Sequence, residues 1–475
     1  MTGIGETQLL FIDGQWSPGE SLREVFDRWT GDHLADVAVA SSDHALIAVD
    51  AAVRASEHPL AAHRRAAILA ATAEEVQSSH ELFARAIQRE TGKPISAART
   101  EVSRAIGTLR FSAEEAGRLP AEAVQLDAVE SGVGTIAYTV PQPRGVVAAI
   151  TPFNFPLNLV AHKLGPALAA GCPVVFKPSD KAEIVAGLLV SAFEAAGLPG
   201  GWLNLVTGPP ESIVGAWIDD PRVEVVTFTG SARVGWALKA ASPRKLHILE
   251  LGSNTALYVH ADADVQSAID ASVQAALANS GQACISLQRL YVHDSVAESF
   301  LAGLVEAVAG VEFGDPREER TIVGPLVTDD ATSRLIGWID SARAAGATVH
   351  TGGVATNGVL EPTVLSGVSP EHPLVCEEAF GPVVTVIPVG SLDDAIAGIN
   401  RSEFGLNASI YTSALSVALD FTARVQAGSV LVNMPPSYRA DQMPYGGVKG
   451  SGQGREGVKY AVEELVQQKL VVLRG

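Results

Sequence analysis

The sequence predicts a protein of the α/β class. From about residue 146, short apolar segments alternate with segments of helical periodicity, which is the signature of βαβ units. The apolar segments are continuous runs, as expected of parallel strands that are buried on both faces. The chain has 475 residues. Since a domain typically has about 150 residues, we expect more than one domain.

The N-terminal part of the chain predicts a hairpin followed by helices. The segment LLFIDGQW is typical of two short strands joined at Asp13-Gly14, because an Asp-Gly pair between apolar residues favours a tight turn. An alanine-rich amphipathic stretch predicts a single helix over His63–Arg89. Gly92 and Pro94 then end it, since glycine and proline stop helices. A second helix is predicted over Ile95–Arg118.

The alternating region predicts a doubly wound sheet. The predicted strands cover residues 145–150, 172–177, 203–206, 223–228 and 245–249. The predicted helices between them cover residues 157–170, 181–196, 211–219 and 232–241. Sheets of this kind bind ligands at the carboxyl ends of their strands, so the residues that follow these strands are candidates for a binding site.

A second alternating region runs from Asp264 to about Gly450. Its predicted strands lie near residues 290–293, 408–412 and 429–433. Two strand-like segments, residues 126–141 and 468–473, lie outside both regions. Strands without an evident partner in their own chain favour a sheet that is completed by another subunit.

The composition excludes several classes of protein. The chain has 34 Lys and Arg against 53 Asp and Glu, a net charge of −19, so nucleic acid and anionic membranes are not expected as partners. The longest apolar stretch, residues 160–176, contains two prolines and is too short to cross a bilayer. The three cysteines (172, 284 and 376) are too sparse for a disulfide framework or a zinc site, and no metal is predicted. Since no signal-peptide pattern is present either, a cytoplasmic protein is expected.

Two predicted strand ends carry residues that suit a nucleotide. Gly230 and Ser231 lie between a strand and a helix, and the free N–H groups of a helix start suit a phosphate. An ordinary strand–helix turn is the alternative. Lys177 and Asp180 follow another strand and could bond ribose hydroxyls, with a solvated loop as the alternative.

Three side chains could carry out covalent chemistry. Cys284 follows a Gly-x-x-Cys turn, where backbone N–H groups could lower the pKa of its thiol. A buried, inert cysteine is the alternative, and it is our interpretation of Cys172 and Cys376. Glu250 ends a strand beside glycine and could act as a base, or only cap a helix. Asn154 could donate to an oxyanion, or only form an N-cap.

The order and wording of six segments resemble the aldehyde dehydrogenase superfamily. The segments are PFNFPLNLVAHKLGPALAAGCPVVFKPS, VTFTGSARVG, ELGS, SGQACIS, EEAFGPV and MPYGGVKGSGQGREG. The similarity runs from about residue 8 to the C-terminal end. It implies a non-acylating, NAD(P)-dependent enzyme that oxidises an aldehyde to a carboxylic acid through a cysteine thiohemiacetal and a thioester.

The resemblance implies three structural parts. They are a Rossmann-like NAD-binding domain (residues 1–122 and 142–248), an α/β catalytic domain (residues 249–450) and a small β oligomerisation element (residues 123–141 and 460–475). Members of the superfamily are dimers or dimers of dimers. We therefore expect a homodimer or a homotetramer.

Matching positions also imply the roles of individual residues. Cys284 matches the nucleophile, Glu250 matches the general base, and Asn154 matches the oxyanion donor that acts with the backbone N–H of Cys284. Lys177 matches the ligand of the adenosine ribose, and we expect it to serve both the catalytic site and the cofactor site. The implied cofactor site consists of Thr151, Pro152, Phe153, Lys177, Ser179, Asp180, Gly230, Ser231, Leu251, Gly252, Glu378 and Phe380.

Two departures from the superfamily pattern concern the cofactor. Asp180 stands where NAD-dependent members often carry Glu, and a carboxylate there repels the 2′-phosphate of NADP. NAD is therefore the expected cofactor, with NADP possible because Lys181 favours the opposite preference. The usual Glu-Leu-Gly-Gly-Lys is Glu250-Leu251-Gly252-Ser253-Asn254 here, so the nicotinamide pocket is expected to differ.

Four residues are predicted to contact the substrate. His162 and Arg439 stand where relatives often carry aromatic residues, and Arg104 and Phe155 join them. Donor groups in place of aromatic rings favour a short polar or anionic aldehyde, such as a semialdehyde, lactaldehyde or phosphonoacetaldehyde. Pairing of Arg439 with Asp441 or another carboxylate outside the site is the alternative.

Other functions stay open at this point. A broad-range neutral-aldehyde dehydrogenase would not need the basic substrate residues. A CoA-acylating dehydrogenase would usually lack the base at Glu250. A catalytically silent binding protein on the same fold would be expected to lose Cys284, Asn154 or Glu250, all of which are present.

Overall fold

The computed structural model describes residues 7–474; residues 1–6 and residue 475, which belong to the predicted domain ranges, lie outside the described residues. The helices are α1 (Ser42–Ser56), α2 (Ala62–Ser78), α3 (His80–Thr91), α4 (Ile95–Glu115), α5 (Asn158–Ala170), α6 (Glu183–Ala195), α7 (Pro210–Asp219), α8 (Ala232–Ala241), α9 (Val265–Leu277), α10 (Asp294–Ala309), α11 (Asp329–Ala344), α12 (Pro373–Cys376), α13 (Leu392–Asn400), α14 (Leu415–Arg424) and α15 (Val458–Leu465).

The strands fall into two large sheets, one small sheet and three two-stranded ribbons. They are β1 (Leu10–Ile12), β2 (Gln15–Ser17), β3 (Ser21–Phe26), β4 (His33–Val39), β5 (Ala123–Val124), β6 (Thr135–Pro143), β7 (Val146–Ile150), β8 (Val174–Lys177), β9 (Leu203–Leu205), β10 (Val223–Thr229), β11 (Leu246–Glu250), β12 (Thr255–Val259), β13 (Leu287–His293), β14 (Thr348–Thr351), β15 (Ala355–Thr356), β16 (Val359–Leu360), β17 (Thr363–Ser366), β18 (Val383–Val389), β19 (Phe404–Gly405), β20 (Asn407–Tyr411), β21 (Ser429–Val432), β22 (Val448–Lys449), β23 (Gly452–Gln453) and β24 (Val466–Arg474).

The first alternating region builds an eight-stranded sheet. Its strand order is β2-β1-β9-β8-β7-β10-β11-β23, and the strands from β9 to β11 run parallel. The predicted strands and helices of this region are confirmed to within two residues at each end. The chain builds β7, β8 and β9 outward on one side and then crosses to place β10 and β11 on the other. The strand order therefore reverses between β7 and β10, and such reversals are where α/β sheets bind ligands.

The second region builds a seven-stranded sheet in the order β14-β17-β18-β13-β12-β20-β21. Its strands are parallel except for β14, which pairs antiparallel with β17. The strands predicted near residues 290–293, 408–412 and 429–433 are confirmed as β13, β20 and β21. The central strands β12 and β18 were not predicted. The predicted α/β class is thus confirmed in both sheets.

One predicted helix is divided in two. The stretch over residues 63–89 forms α2 and α3, which meet at Ser79, where φ of −107° and ψ of 20° leave the helical conformation. The end of α3 agrees with the sequence, since Gly92 has a left-handed φ of +74°, a conformation that glycine adopts without strain. The predicted hairpin at Asp13-Gly14 is also confirmed, as β1 and β2.

The two strand-like segments pair with each other. β6 and β24 form an antiparallel ladder along their full length, and β5 pairs with the other edge of β6. Each of these strands therefore has a partner in its own chain, and completion of the sheet by another subunit stays a prediction. Residues 126–134, predicted as strand, form turns that include a 3₁₀ turn at Glu130–Gly132. Within residues 7–474, no helix combines the length and the apolar character that a membrane crossing requires.

A buried ion pair fixes the start of α5, the helix that follows the Asn154 loop. Lys93, after α3, lies with its Nζ 2.5 Å from Glu101 Oε2 on α4, and both side chains are almost fully buried. The other oxygen, Glu101 Oε1, accepts hydrogen bonds from the backbone N–H groups of Leu157 and Asn158. A carboxylate is favourable there, because the start of a helix carries a partial positive charge.

The pair predicts a large stability effect. Glu101→Gln leaves the Lys93 ammonium buried without a negative partner, and we expect the free energy of unfolding to fall by about 3–5 kcal/mol in denaturant titrations. Glu81→Gln, which removes an exposed partner of Arg99, is the matched control and should change it by less than about 1 kcal/mol. Equal effects of the two substitutions would contradict this account.

Candidate active site

A cavity of about 730 Å³ opens beside Cys284. This volume suits a small-molecule site. Three of the four predicted substrate residues, Phe155, Arg104 and Arg439, lie on its wall together with Tyr445. The cavity therefore brings basic side chains and a thiol to one place.

Cys284 lies on the cavity wall with its Sγ 3.0 Å from the Tyr445 hydroxyl oxygen. Burial raises the pKa of the Cys284 thiol to about 11. The expectation that backbone N–H groups lower this pKa is wrong for the structure described here, because loss of solvent around the charged form is the larger effect.

The turn before Cys284 also packs against the Phe380 loop. Gly281 has a left-handed φ of +72°, and a Cβ at this position would lie 2.1 Å from the carbonyl oxygen of Gly381, so glycine is required here. Phe380 has a φ of +54° and packs edge-to-face on Phe153, with ring centroids 5.9 Å apart. Phe380 therefore lies beside the turn that carries the thiol, and Phe153 packs on Phe380.

The Glu250 carboxylate and the Asn154 Oδ1 are buried and lack hydrogen-bond partners in the part of the chain that the structure describes. Glu250 ends β11 and is buried, and both of its carboxylate oxygens lack a hydrogen-bond partner among residues 7–474. Burial, together with the charge of Glu456, raises the pKa of Glu250 well above its usual range. The Asn154 Nδ2 donates to the carbonyl of Gln282, 3.0 Å away, which holds the amide against the Cys284 loop.

Arg439 belongs to a buried ion-pair cluster. Its Nη2 lies 3.0 Å from Glu456 Oε2, and Glu456 Oε1 lies 3.0 Å from the Nζ of Lys163. Although burial opposes ionisation, the two cations lower the pKa of Glu456 to about 2. The pairing of Arg439 with a carboxylate is therefore correct, but its partner is Glu456 and not Asp441, and Arg439 still reaches the cavity.

Asp441 pairs instead with Arg104 and His162. Two bonds, from Arg104 Nε at 3.1 Å and Nη2 at 2.7 Å, bind the Asp441 carboxylate. The Nε2 of His162 lies 3.0 Å from Asp441 Oδ1, and its side chain is fully buried. His162 therefore contacts Asp441 rather than the cavity, a correction to its predicted place on the substrate tunnel. The Arg104 side chain is 28% exposed and lies on the cavity wall.

Tyr445 and Glu456 were not predicted as site residues. Both lie in the segment MPYGGVKGSGQGREG, which carries the resemblance. Nothing in that segment indicates that the tyrosine meets a cysteine 161 positions away, or that the glutamate meets Lys163, 293 positions away. Only the folded chain shows these contacts.

The residues at the reversal of strand order fit a dinucleotide. Thr151 follows β7 and Thr229 ends β10, and both hydroxyls are buried without a hydrogen-bond partner in the described part of the chain. Ser231 caps α8 by accepting from the Val234 N–H at 3.4 Å. Unpartnered hydroxyls beside a helix start suit a phosphate group. The predicted residues Gly230, Pro152, Leu251 and Gly252 adjoin these positions.

Lys177 ends β8 at the same edge of the sheet. Its buried Nζ donates to the carbonyl of Pro178, 3.0 Å away, and burial lowers the pKa of this ammonium. Asp180 is exposed, and its carboxylate lies 3.1 Å from the Nζ of Lys181. Ser179 lies between Lys177 and Asp180 in the sequence. Both of the opposing charges expected at the adenosine ribose are therefore present.

Glu378 is held by the segment that departs from the superfamily pattern. Its Oε1 accepts from the Ser253 N–H at 2.9 Å, and burial raises the pKa of Glu378 to about 7. A Cβ on Gly252 would lie 2.7 Å from Glu378 Oε2. Asn254 donates to the carbonyl of Glu377 at 2.7 Å, so Ser253 and Asn254 together position the Glu378 loop.

The comparisons with known proteins agree with this arrangement. The model of the aldehyde dehydrogenase family matches residues 16–471. A 3-sulfolactaldehyde dehydrogenase of Priestia aryabhattai is 39% identical over 465 residues, which cover 98% of this chain and 97% of that protein. A lactaldehyde dehydrogenase of Methanococcus vannielii is 35% identical over 472 residues, covering 98% and 100%.

A solved structure shows the same fold. The NADP-dependent glyceraldehyde-3-phosphate dehydrogenase of Bacillus halodurans, complexed with NADP, superposes with a TM-score of 0.96 at 31% identity and covers 98% of this chain and 99% of that one. The fold of this chain, its sequence relatives and its family match therefore agree over nearly its whole length. The chain therefore belongs to the aldehyde dehydrogenase family and is an NAD(P)-dependent aldehyde dehydrogenase.

Proposed function

We propose that the protein oxidises a short polar or anionic aldehyde to a carboxylic acid, with Cys284 as nucleophile, Glu250 as base and Asn154 as oxyanion donor. The observation that carries this proposal is that Asn154 and Glu250 lie close to Cys284, which lines the cavity. Cys284 lies on the cavity wall, and the Asn154 amide donates a hydrogen bond to the backbone carbonyl of Gln282, two residues before Cys284. Glu250 is close enough that its charge contributes to the raised pKa of the Cys284 thiol.

The order of events follows from the chemistry of the aldehyde. Its carbon has no leaving group, so hydride cannot depart until the Cys284 sulfur has made the carbon tetrahedral. The Asn154 amide and the backbone N–H of Cys284 donate to the oxyanion that forms. Bound NAD(P) supplies the hydride acceptor. Glu250 then takes a proton from the water that cleaves the Cys284 thioester, which releases the acid and restores the thiol.

The cofactor preference is proposed from the edge of β8. Asp180 disfavours a 2′-phosphate, so NAD is preferred, whereas Lys181, 3.1 Å away, weakens that preference. The base at Glu250 supports release of the thioester to water rather than to CoA. The cysteines at 172, 284 and 376 are unpaired, which supports a reducing compartment and thus the cytoplasm.

The three-stranded sheet is proposed as the oligomerisation element of a homodimer or homotetramer. Ile136 on β6 and Leu470 and Val472 on β24 are between 49% and 69% exposed. Exposed apolar side chains on a small sheet whose β24 edge is open suit an interface between copies. We also propose the implied division into an NAD-binding domain (residues 1–122 and 142–248) and a catalytic domain (residues 249–450). β23 lies outside these ranges, yet it forms an edge strand of the eight-stranded sheet by pairing with β11.

The substrate class is proposed from Arg104. Both Arg104 and Arg439 line the cavity and each is paired with a carboxylate, but the Arg104 side chain is 28% exposed and that of Arg439 only 5%. Two of the relatives are named for 3-sulfolactaldehyde and glyceraldehyde 3-phosphate, which are anions, and one for lactaldehyde, which is neutral. All three names are those of short polar aldehydes, which is the predicted class, and Arg104 on the cavity wall favours its anionic members.

Loss of the nucleophile should end turnover. We expect Cys284→Ala to lower the rate of NAD(P) reduction by more than about a thousandfold, since the covalent step has no substitute. Cofactor binding, followed by fluorescence, should persist. Cys376, which the sequence analysis interpreted as buried, is exposed, and Cys376→Ala serves as the control with the rate unchanged. Turnover by the Cys284 variant would reject the proposed mechanism.

Loss of the oxyanion donor should affect kcat more than KM. A single such donor is worth about a hundredfold or more in kcat, so we expect Asn154→Ala to slow steady-state turnover by about that factor. Because the variant also loses a bond to the Gln282 carbonyl, its unfolding midpoint should be measured alongside. An unchanged kcat would remove Asn154 from this role.

Removal of the Arg104 guanidinium should affect anionic and neutral substrates differently. We expect Arg104→Gln to raise KM for a short anionic aldehyde by about tenfold or more, the value of one charge-assisted hydrogen bond, and to spare a neutral aldehyde of equal length. Arg110→Gln, an exposed position on the same helix that pairs with Glu74, is the control. Equal changes for both aldehydes would favour the neutral-aldehyde function.

A further inference from the structure

We infer that the Tyr445 hydroxyl is a catalytic group that donates a hydrogen bond to the Cys284 sulfur, and that Arg439 positions the Tyr445 ring for this contact. The inference rests on the proposed role of Cys284 as the nucleophile. It gives Arg439 a function at the thiol instead of the substrate role that the sequence predicted.

The contact between the two side chains is direct and held from both sides. The Tyr445 oxygen lies 3.0 Å from Cys284 Sγ, and Tyr445 is 2% exposed. The Tyr445 backbone is fixed by two hydrogen bonds with the backbone of Glu456, of 3.0 Å and 2.6 Å. Its ring packs with Ile285 and Leu406 in a small apolar cluster. The hydroxyl therefore has little freedom to turn away from the sulfur.

The direction of the hydrogen bond follows from the ionised state of the thiol. Once the Cys284 thiol is ionised, the thiolate can only accept, so the Tyr445 hydroxyl must donate. Burial raises the pKa of Tyr445 well above its usual range, which keeps the phenol protonated. Tyr445 thus keeps its proton throughout and is a donor rather than a base.

The bond favours the reactive form of the cysteine. A hydrogen bond to a charged acceptor is about twice as strong as one between neutral groups. The Tyr445 hydroxyl therefore stabilises the thiolate more than the thiol, and it opposes the burial that raises the pKa of Cys284. Without it, less of the cysteine would be ionised at a given pH.

The Arg439 guanidinium stacks on one face of the Tyr445 ring. The guanidinium carbon lies 3.8 Å from the centroid of the Tyr445 ring, within the range of a cation–π contact. One end of the guanidinium is fixed by Glu456, and its buried Nε has no hydrogen-bond partner among residues 7–474. A planar guanidinium stacks on a ring in a way that a lysine ammonium cannot reproduce. Arg439 is therefore a positioning residue that acts through Tyr445.

The decisive experiment measures the ionisation of the thiol, not turnover. Cys284 in Tyr445→Phe and in the unchanged enzyme is alkylated with iodoacetamide across a pH series, without aldehyde. The Cys284 peptide is followed by mass spectrometry, because the exposed Cys376 also reacts. A hydrogen bond to a charged group is worth about ten- to a hundredfold, so the midpoint of the profile should rise by about 1–2 pH units in the variant.

The controls separate this inference from the proposed function. Tyr460→Phe, which removes a hydroxyl from α15, should leave the midpoint in place. An unchanged midpoint in Tyr445→Phe would overturn the donor role even if Cys284→Ala is inactive. Turnover by Cys284→Ala, in contrast, would overturn the proposed function itself.

A second variant tests the part played by Arg439. Arg439→Lys keeps the charge but loses the stacked plane, so the alkylation midpoint should also rise, and KM should change equally for anionic and neutral aldehydes. A selective rise of KM for the anionic aldehyde, with the midpoint unchanged, would return Arg439 to substrate binding.

Discussion

The structure depends on the pairing of charges that folding removes from water. An isolated ion in a protein interior costs several kcal/mol, so each one needs a partner and further hydrogen bonds. Glu456 meets two cations and Asp441 meets Arg104 and His162, with side chains that are almost all buried. Except for the Arg439–Glu456 pair, these contacts join segments that are hundreds of residues apart in sequence. The cavity wall is therefore fixed by electrostatics as well as by apolar packing.

The same burial sets the chemical state of the reacting groups. Loss of solvent raises the pKa of both Cys284 and Glu250, because burial disfavours their charged forms. Charges and hydrogen bonds act more strongly in such surroundings than in water. A single hydroxyl at Tyr445 or a single amide at Asn154 can consequently have a large effect on which form of the nucleophile or oxyanion is stable.

The two sheets contribute different parts of the site. The reversal of strand order between β7 and β10 places hydroxyls and a helix start at one sheet edge. The second region contributes the turn before Cys284 and the loop of Glu378 and Phe380. Glycine allows two close approaches here, of Gly281 to the Gly381 carbonyl within the second region and of Gly252 to the Glu378 carboxylate between the two parts. Glycine therefore sets how closely cofactor residues and nucleophile approach each other.

The sequence by itself determined every strand of the first sheet except β23, because apolar periodicity and glycine or proline stops act between near neighbours. Its motifs also indicated the family and the candidate roles of Cys284 and Glu250. The tertiary structure alone decided that β6 pairs with β24, that His162 contacts Asp441 rather than the cavity, and that Tyr445 meets the thiol. These are contacts between distant positions, and burial at such contacts is what raises the pKa of the thiol. A local pattern contains no information about either effect, since both depend on which segments fold together and how far water is excluded.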